Sequence, residues 1–411
     1  MHKNLGNYFP FTGVLILKIK YRRNISCGYS YSLLAFFGIT SLWVIYLQQQ
    51  GLSLVEIGWC ESIFHLTSFL FEVPSGLLAD RFSYRANLFV SRLMAILSAV
   101  LLLISHDFWL DVISFVISAL SYNLQSGTLE ALLYDSLKLD QQSNRYPQVI
   151  SWTNVIIEFA DASGVILAGL FVHWHFGLVY VIEILVSLLA LISVSLLKEP
   201  SKRATEEQSA QPADQSLWQL LQLSWRTLRD VPLLRNLMIF QALFDGFCTT
   251  YYFYFQSLMD NQHFAGWLIS TLLAISAMIN IAVMKAAPWL QRKVSKRQLV
   301  LGLSLALTGL LLLNWLGQLT IYLLVFLLTT GLTSLNEPIF SSYYNDLIDS
   351  TQRATLLSVA NLLFSLIMIM LFPLTGWLLE KFSFAATFGL YGGCLLLILL
   401  TILRSAVPAK G

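Results

Sequence analysis

The residues of this chain able to do chemistry are carboxylates set inside long apolar runs: Glu61, Glu72, Glu130, Glu158, Asp161, Glu183, Asp245 and Glu337, with Lys285 as the corresponding buried base. A charged side chain at mid-bilayer costs about 2.5–3.5 kcal/mol on insertion scales, so such a group faces a cavity or a partner. The excess of acid suits protons or cationic ligands, and for any one residue the plainer alternative is a hydrogen bond between helices. Glu158 and Asp161 stand one helical turn apart. In a low dielectric two such carboxyls cannot easily both ionise, so one would hold a proton and could carry it. This pair, or Asp245 across a shared cavity, is the candidate proton carrier.

Residues three, four or seven apart share a helix face. Five stripes follow from that spacing: Glu61, His65, Ser68 and Glu72; Asn123, Ser126 and Glu130; Asn154, Glu158 and Asp161; Gln241, Asp245, Thr249, Tyr252 and Gln256; and Thr330, Thr333, Glu337 and Ser341. One polar stripe on each of five helices implies a shared wet interior. The alternative is a packed bundle with cross-helix hydrogen bonds of about 0.6 kcal/mol each. The run Tyr251 to Phe255 suits an interfacial aromatic belt, although Tyr252, on the Asp245 stripe, could stack on a flat or cationic ligand. Trp289 and Trp377 read as interface or packing anchors. Cys27, Cys60, Cys248 and Cys394 are isolated, without metal-ligand spacing, and read as packing residues.

Membrane spans must position these groups. The chain of 411 residues is 56% hydrophobic and 12% charged, far from the roughly 25% charged of soluble proteins. The net charge of +2 gives no reason to expect nucleic acid as a partner. Runs long enough to cross about 30 Å of hydrocarbon fall near 26–47, 55–79, 86–105, 108–137, 147–171, 175–197, 233–258, 264–290, 298–317, 320–345, 353–379 and 383–404. These twelve spans form an N-terminal six-helix bundle (26–197) and a C-terminal one (233–404). A polar linker, 198–232, is expected to be cytoplasmic and helical from Leu217 to Leu228. Residues 1–25 read as an interfacial segment, since their bases follow the short apolar run instead of preceding it as in a signal peptide, and 405–411 as a tail. Nearly all Lys and Arg lie in or beside one alternate set of loops, including 80–92, which places both termini in the cytoplasm of a multi-pass protein of the plasma or inner membrane. The loop Arg292 to Leu299 repeats Arg81 to Leu88, and Glu337 corresponds to Glu130. Two related halves are a common way to build a site at the bilayer midplane.

Gly76, Leu78, Ala79, Asp80, Arg81 and Arg85 resemble the loop between helices 2 and 3 of the major facilitator superfamily, with Ser83 where that family usually has glycine. Glu72 to Gly76 and Ser126 to Leu137 are similar to its bacterial drug-exporter branch. The resemblance implies an all-helical carrier with two pseudo-symmetric six-helix bundles and a cytoplasmic latch. In that latch Asp80 meets the start of span 11 near Ser350 and Thr351, and Arg81 or Arg85 pairs with Asp135. It implies alternating access, proton-coupled efflux of amphipathic or cationic compounds and a monomer, with no cofactor beyond an ion gradient. Span 5 has Ser163-Gly164 and Gly169 in place of the glycine-rich pattern of drug/proton antiporters, and span 1 has no charge between Ile25 and Leu47. A symporter or facilitator for a small nutrient is therefore the second expectation. A membrane-embedded enzyme is remote, for want of a metal cluster, nucleophile elbow or phosphate loop.

Overall fold

Only a helix or a closed barrel lets backbone satisfy its own polar groups in hydrocarbon, and the apolar runs fold as helices. The computed structural model describes residues 21–81, 83–200, 226, 229–347 and 353–406, with side chains for all of these except 73–81, 337, 341–343, 345–347, 353–358 and 401–406. The first bundle comprises α1 (Arg22–Ala35), α2 (Trp43–Gln49), α3 (Leu54–Arg81), α4 (Tyr84–Ile104), α5 (Phe108–Gln125), α6 (Thr128–Leu139), α7 (Tyr146–Phe171) and α8 (Leu178–Leu196). The second comprises α9 (Pro232–Asn261), α10 (Gly266–Lys293), α11 (Lys296–Leu313), α12 (Leu319–Leu347), α13 (Arg353–Lys381) and α14 (Phe384–Ala406). The expected linker helix from Leu217 and the segment before Tyr21 lie outside the described residues.

Among the described residues, 8 helices are long and apolar enough to cross a membrane. Three other expected spans differ for local reasons: span 1 divides into α1 and α2, span 4 divides into α5 and α6, and α9 is diluted by Gln241, Asp245, Thr249 and Thr250. Helix α14 runs Phe384–Ala406, with side chains described as far as Leu400.

Both breaks are held by identifiable contacts. Between α5 and α6 the chain turns at Gly127, whose φ of +70° is open to glycine at little cost. In span 1, Gly38 lies against the Asp161 carboxylate, and Gly164 of α7 packs on the backbone of Gly38 and Ile39, so a side chain at either position would collide. Arg92 of α4 donates from Nη1 to the carbonyl of Ala35 at 3.1 Å, capping the end of α1, where the helix dipole favours a cation. From the other bundle, Gln256 Nε2 donates to the Ser41 carbonyl at 3.1 Å.

The bundles meet along two crossings, α3 with α13 and α7 with α10. Small residues allow the close approach: Gly58 faces Phe372 and Pro373, Gly376 faces Leu54, and Gly169 faces Ser270 and Gly266. Pro373 has no N–H to offer Ile369 four residues earlier, and Ser62 Oγ of α3 supplies the donor at 2.5 Å. The Tyr254 hydroxyl lies 2.8 Å from the Phe372 carbonyl and 3.2 Å from that of Leu54. Gln48 donates to Asn261 at 2.9 Å, Gln49 to Asp260 at 2.8 Å, and the Val55 amide to Glu380 at 3.0 Å. Ser270 Oγ donates to the Ile166 carbonyl, and His173 Nε2 lies 2.7 Å from that of Phe264. Among the described residues, these hydrogen bonds between bundles all lie toward the end poor in Lys and Arg.

At the basic end, Ser83 is extended and its hydroxyl accepts from the Ala86 amide at 3.1 Å as the N-cap of α4, so the turn does not require glycine there. Ser295 caps α11 in the same way, one residue out of register with the repeat read from the sequence. The Glu199 carboxylate accepts from the amides of Tyr84 and Arg85 at 2.8 and 3.1 Å. Of the two expected partners of Asp135, Arg81 or Arg85, the second is directed elsewhere: Arg85 Nη2 donates to the Ser195 carbonyl, and Asp135 accepts from the Tyr84 hydroxyl at 2.9 Å. The side chains of Asp80, Arg81, Ser350 and Thr351 lie outside the described residues.

Candidate functional site

A cavity of about 800 Å³ lies where the bundles meet, within the range of about 300–1,000 Å³ typical of ligand pockets. From α7 it receives Glu158 and Asp161, from α8 Glu183, from α4 Arg92, and from the second bundle Thr249, Tyr252, Asn280 and Thr333. The break in span 1 contributes Gly38, Thr40 and Ser41, and Trp43 follows from α2. The unwound segment brings backbone and short polar side chains to the depth of the Glu158/Asp161 pair, the arrangement tolerated in a membrane where backbone lines a cavity.

The expected site residues divide into those gathered here and those held elsewhere. Glu158, Asp161 and Tyr252 line the cavity, and Tyr252 also stacks on Phe326 with centroids 5.6 Å apart. Asp245 does not line it: Asn336 Nδ2 of α12 donates to Asp245 at 2.6 Å, turning the acid into its own bundle. Glu61 and His65 lie away from the main cavity, 3.5 Å apart, with His65 edge-on to Phe364 of α13. Glu72 and Glu130 are outside the lining as well, within electrostatic reach of the Tyr122 hydroxyl. The reason for Glu130 is the turn at Gly127, which ends the stripe begun at Asn123. Asn123 itself holds Ser68 through two hydrogen bonds of 2.7 and 2.9 Å, a static contact between helices. The Glu337 side chain lies outside the described residues.

Two basic residues are corrected. Lys285 is exposed on α10, whereas Arg92, which the loop count absorbed, is 5% exposed and lines the cavity. Its Nη2 donates to Gln125 and Ser91, Gln125 accepts from the Tyr31 hydroxyl at 3.0 Å, and Arg92 Nε has no partner. Another acid, Asp111 of α5, is 2% exposed; it lies in the first turn of its helix, at the margin of the expected span, and is absent from the membrane acids read from the sequence. The aromatic run is core instead of a belt: Tyr251, Tyr254 and Phe255 are buried, and Tyr251 reaches Asn314 and the Tyr322 carbonyl. Trp289 and Trp377 are exposed, and Cys394 is exposed while the other three cysteines are buried.

Residues 25–373 match the family model described as Major Facilitator Superfamily. The chain is 24% identical over 351 residues to the uncharacterized MFS-type transporter YxaM of Bacillus subtilis (strain 168), an alignment covering 82% of this chain and 84% of that protein. Among solved structures, a mutant of the nucleoside transporter NupG superposes with a TM-score of 0.75 at 13% identity, covering 93% of this chain and 100% of that one. A mutant of the peptide transporter POT in complex with sulfate gives 0.67 at 15% identity, covering 93% of each. A bacterial homolog of the human lysosomal transporter Spinster, inward-facing and unoccupied, gives 0.63 at 14% identity, covering 93% of this chain and 94% of that one. At these identities the structural likeness speaks for the fold.

Proposed function

The chain belongs to the Major Facilitator Superfamily, and from that footing we propose that it is a secondary transporter exporting amphipathic or cationic compounds in exchange for protons. The observation that carries this reading is the cavity at the seam of the bundles, lined by three carboxylates, Glu158, Asp161 and Glu183, against one base, Arg92. The guanidinium of Arg92 already caps α1 and holds Gln125, so the acids set the sign offered to a ligand. Glu158 and Asp161, one turn apart, cannot easily both be charged, so one retains a proton; a bound cation and a bound proton would compete for the same pair. The excess of Lys and Arg in the loops of one end supports a cytoplasmic location for that end of the molecule. The opposite end is closed by the contacts between bundles. Rocking of one bundle on the other would then exchange access, driven by an ion gradient and without a cofactor, in a monomer at the plasma or inner membrane.

The test is flux in proteoliposomes with an imposed pH gradient, using a panel of fluorescent lipophilic cations and radiolabelled nutrients. Gradient-driven movement of cations supports the reading, and movement of a nutrient indifferent to the gradient overturns it. A symporter or facilitator for a small polar nutrient is the second reading. It is favoured by Asn280, whose Oδ1 has no partner, beside Thr330 and Thr333 on the cavity wall; the relatives of similar fold include nucleoside and peptide transporters.

A further inference from the structure

A second cavity of about 250 Å³ opens within the first bundle. It is smaller than the roughly 300–1,000 Å³ that takes a whole ligand, so it fits part of a molecule. Thr40, Trp43, Phe64, Ala95, Ser118 and Glu183 line both cavities and form the throat between them. Beyond the throat the walls are Glu61, Ala99, Phe115 and Tyr180, with Ser98 and Leu102. The chemistry of these walls is specific. Trp43 and Phe115 meet edge to face with centroids 5.3 Å apart, and Phe64 adds a third aromatic ring. Glu183 accepts from Ser187 on Oε1 at 3.0 Å; Arg92 acts on it electrostatically while its hydrogen bonds go to Ala35, Ser91 and Gln125. Glu61 has only the imidazole of His65, 3.5 Å away. Tyr180 is 2% exposed, yet its hydroxyl has no hydrogen-bond partner.

We propose that this side pocket is a subsite for the compact ammonium head of an organic cation, held between Glu183 and Glu61 against the faces of Trp43, Phe64 and Phe115 while the remainder lies in the main cavity. Aromatic faces and carboxylates together suit an alkylammonium, whose charge is spread over a greasy shell. Every wall belongs to the first bundle, from the span 1 break, α2, α3, α4, α5 and α8. The head group would therefore stay bound to one bundle while the other moves. The proposal rests on reading the main cavity as a site for cationic compounds.

Binding of radiolabelled benzyltrimethylammonium and of tetraphenylphosphonium to the full chain in nanodiscs separates the two ideas, because four phenyl rings suit the main cavity and not the side pocket. Glu61→Gln removes a carboxylate that lines only the side pocket, and Ala99→Leu fills the pocket without touching charge. Each is expected to weaken benzyltrimethylammonium at least tenfold and tetraphenylphosphonium less than twofold, and the retained second ligand shows that the variant is folded. If wild type binds both cations and the variants leave benzyltrimethylammonium unchanged, or weaken both alike, the subsite is wrong and the main-cavity reading stands. If wild type binds neither cation, both readings fall.

Discussion

At the scale of single residues, acids on the polar stripes of the two bundles do unlike work. Asp161 lines the cavity against Gly38, whereas Asp245 is held by Asn336. Replacing Glu158 by Gln and Asp161 by Asn together is expected to reduce pH-driven flux at least tenfold and, because the cation uses the same pair, to slow exchange of labelled for unlabelled substrate as well; undiminished gradient-driven flux would remove the pair from coupling. Arg92 is expected to matter for folding before binding. In Arg92→Leu the half-buried Ala35 carbonyl loses the Arg92 donor and Gln125 keeps only the Tyr31 hydroxyl, at about 1–3 kcal/mol for a group left unsatisfied, so thermal stability in detergent should fall even without substrate. An unchanged melting profile with binding lost would make Arg92 a ligand group instead. The spacing of Glu158, Asp161 and Tyr252 was legible in the sequence. Arg92 was not, because a base so close to a charged loop counts toward orientation, and only the fold shows it turned inward beneath the end of α1.

Among the elements, hydropathy marked the long apolar helices, 8 of which are long and apolar enough to span a membrane among the described residues, and it missed both breaks for a physical reason. Hydropathy registers apolar content, and the segment from Phe36 to Leu42 is as apolar as a helix. What ends α1 there is tertiary: the Gly38–Gly164 approach, the Arg92 cap and the Gln256 contact. The latch residues were recognisable as a motif, but Ser83 acts as an N-cap and Glu199 takes the amides of the next turn, partners that no local pattern announces. The crossing of α3 and α13 gives the clearest test at this scale. Ser62→Ala leaves the Ile369 carbonyl, freed by Pro373, without its donor. It should destabilise the state closed at the base-poor end by about 1–3 kcal/mol, read as greater labelling of cysteines introduced beside Gly58 and Gly376. Labelling equal to that of the parent would show that the contact does not hold the crossing shut.

For the whole molecule, two bundles joined along small-residue crossings at one end, with an acid-lined cavity beneath, form a device whose states differ in which end is joined. The hydrogen bonds of Gln48, Gln49 and Val55 to Asn261, Asp260 and Glu380 must break for the other state to form. A disulfide between Gln49→Cys and Asp260→Cys should therefore arrest flux and release it on reduction, whereas full flux in the cross-linked protein would show that the base-poor end need not open. The central claim, that cations leave in exchange for protons through the Glu158/Asp161 cavity, is tested most directly by the internal pH of proteoliposomes holding a trapped indicator. Adding a transported cation, with no gradient imposed, should produce a proton flux opposite in direction to the cation in the wild type and none in the Glu158→Gln, Asp161→Asn double variant. Cation movement with no accompanying pH change, or an equal pH change in the double variant, would contradict it.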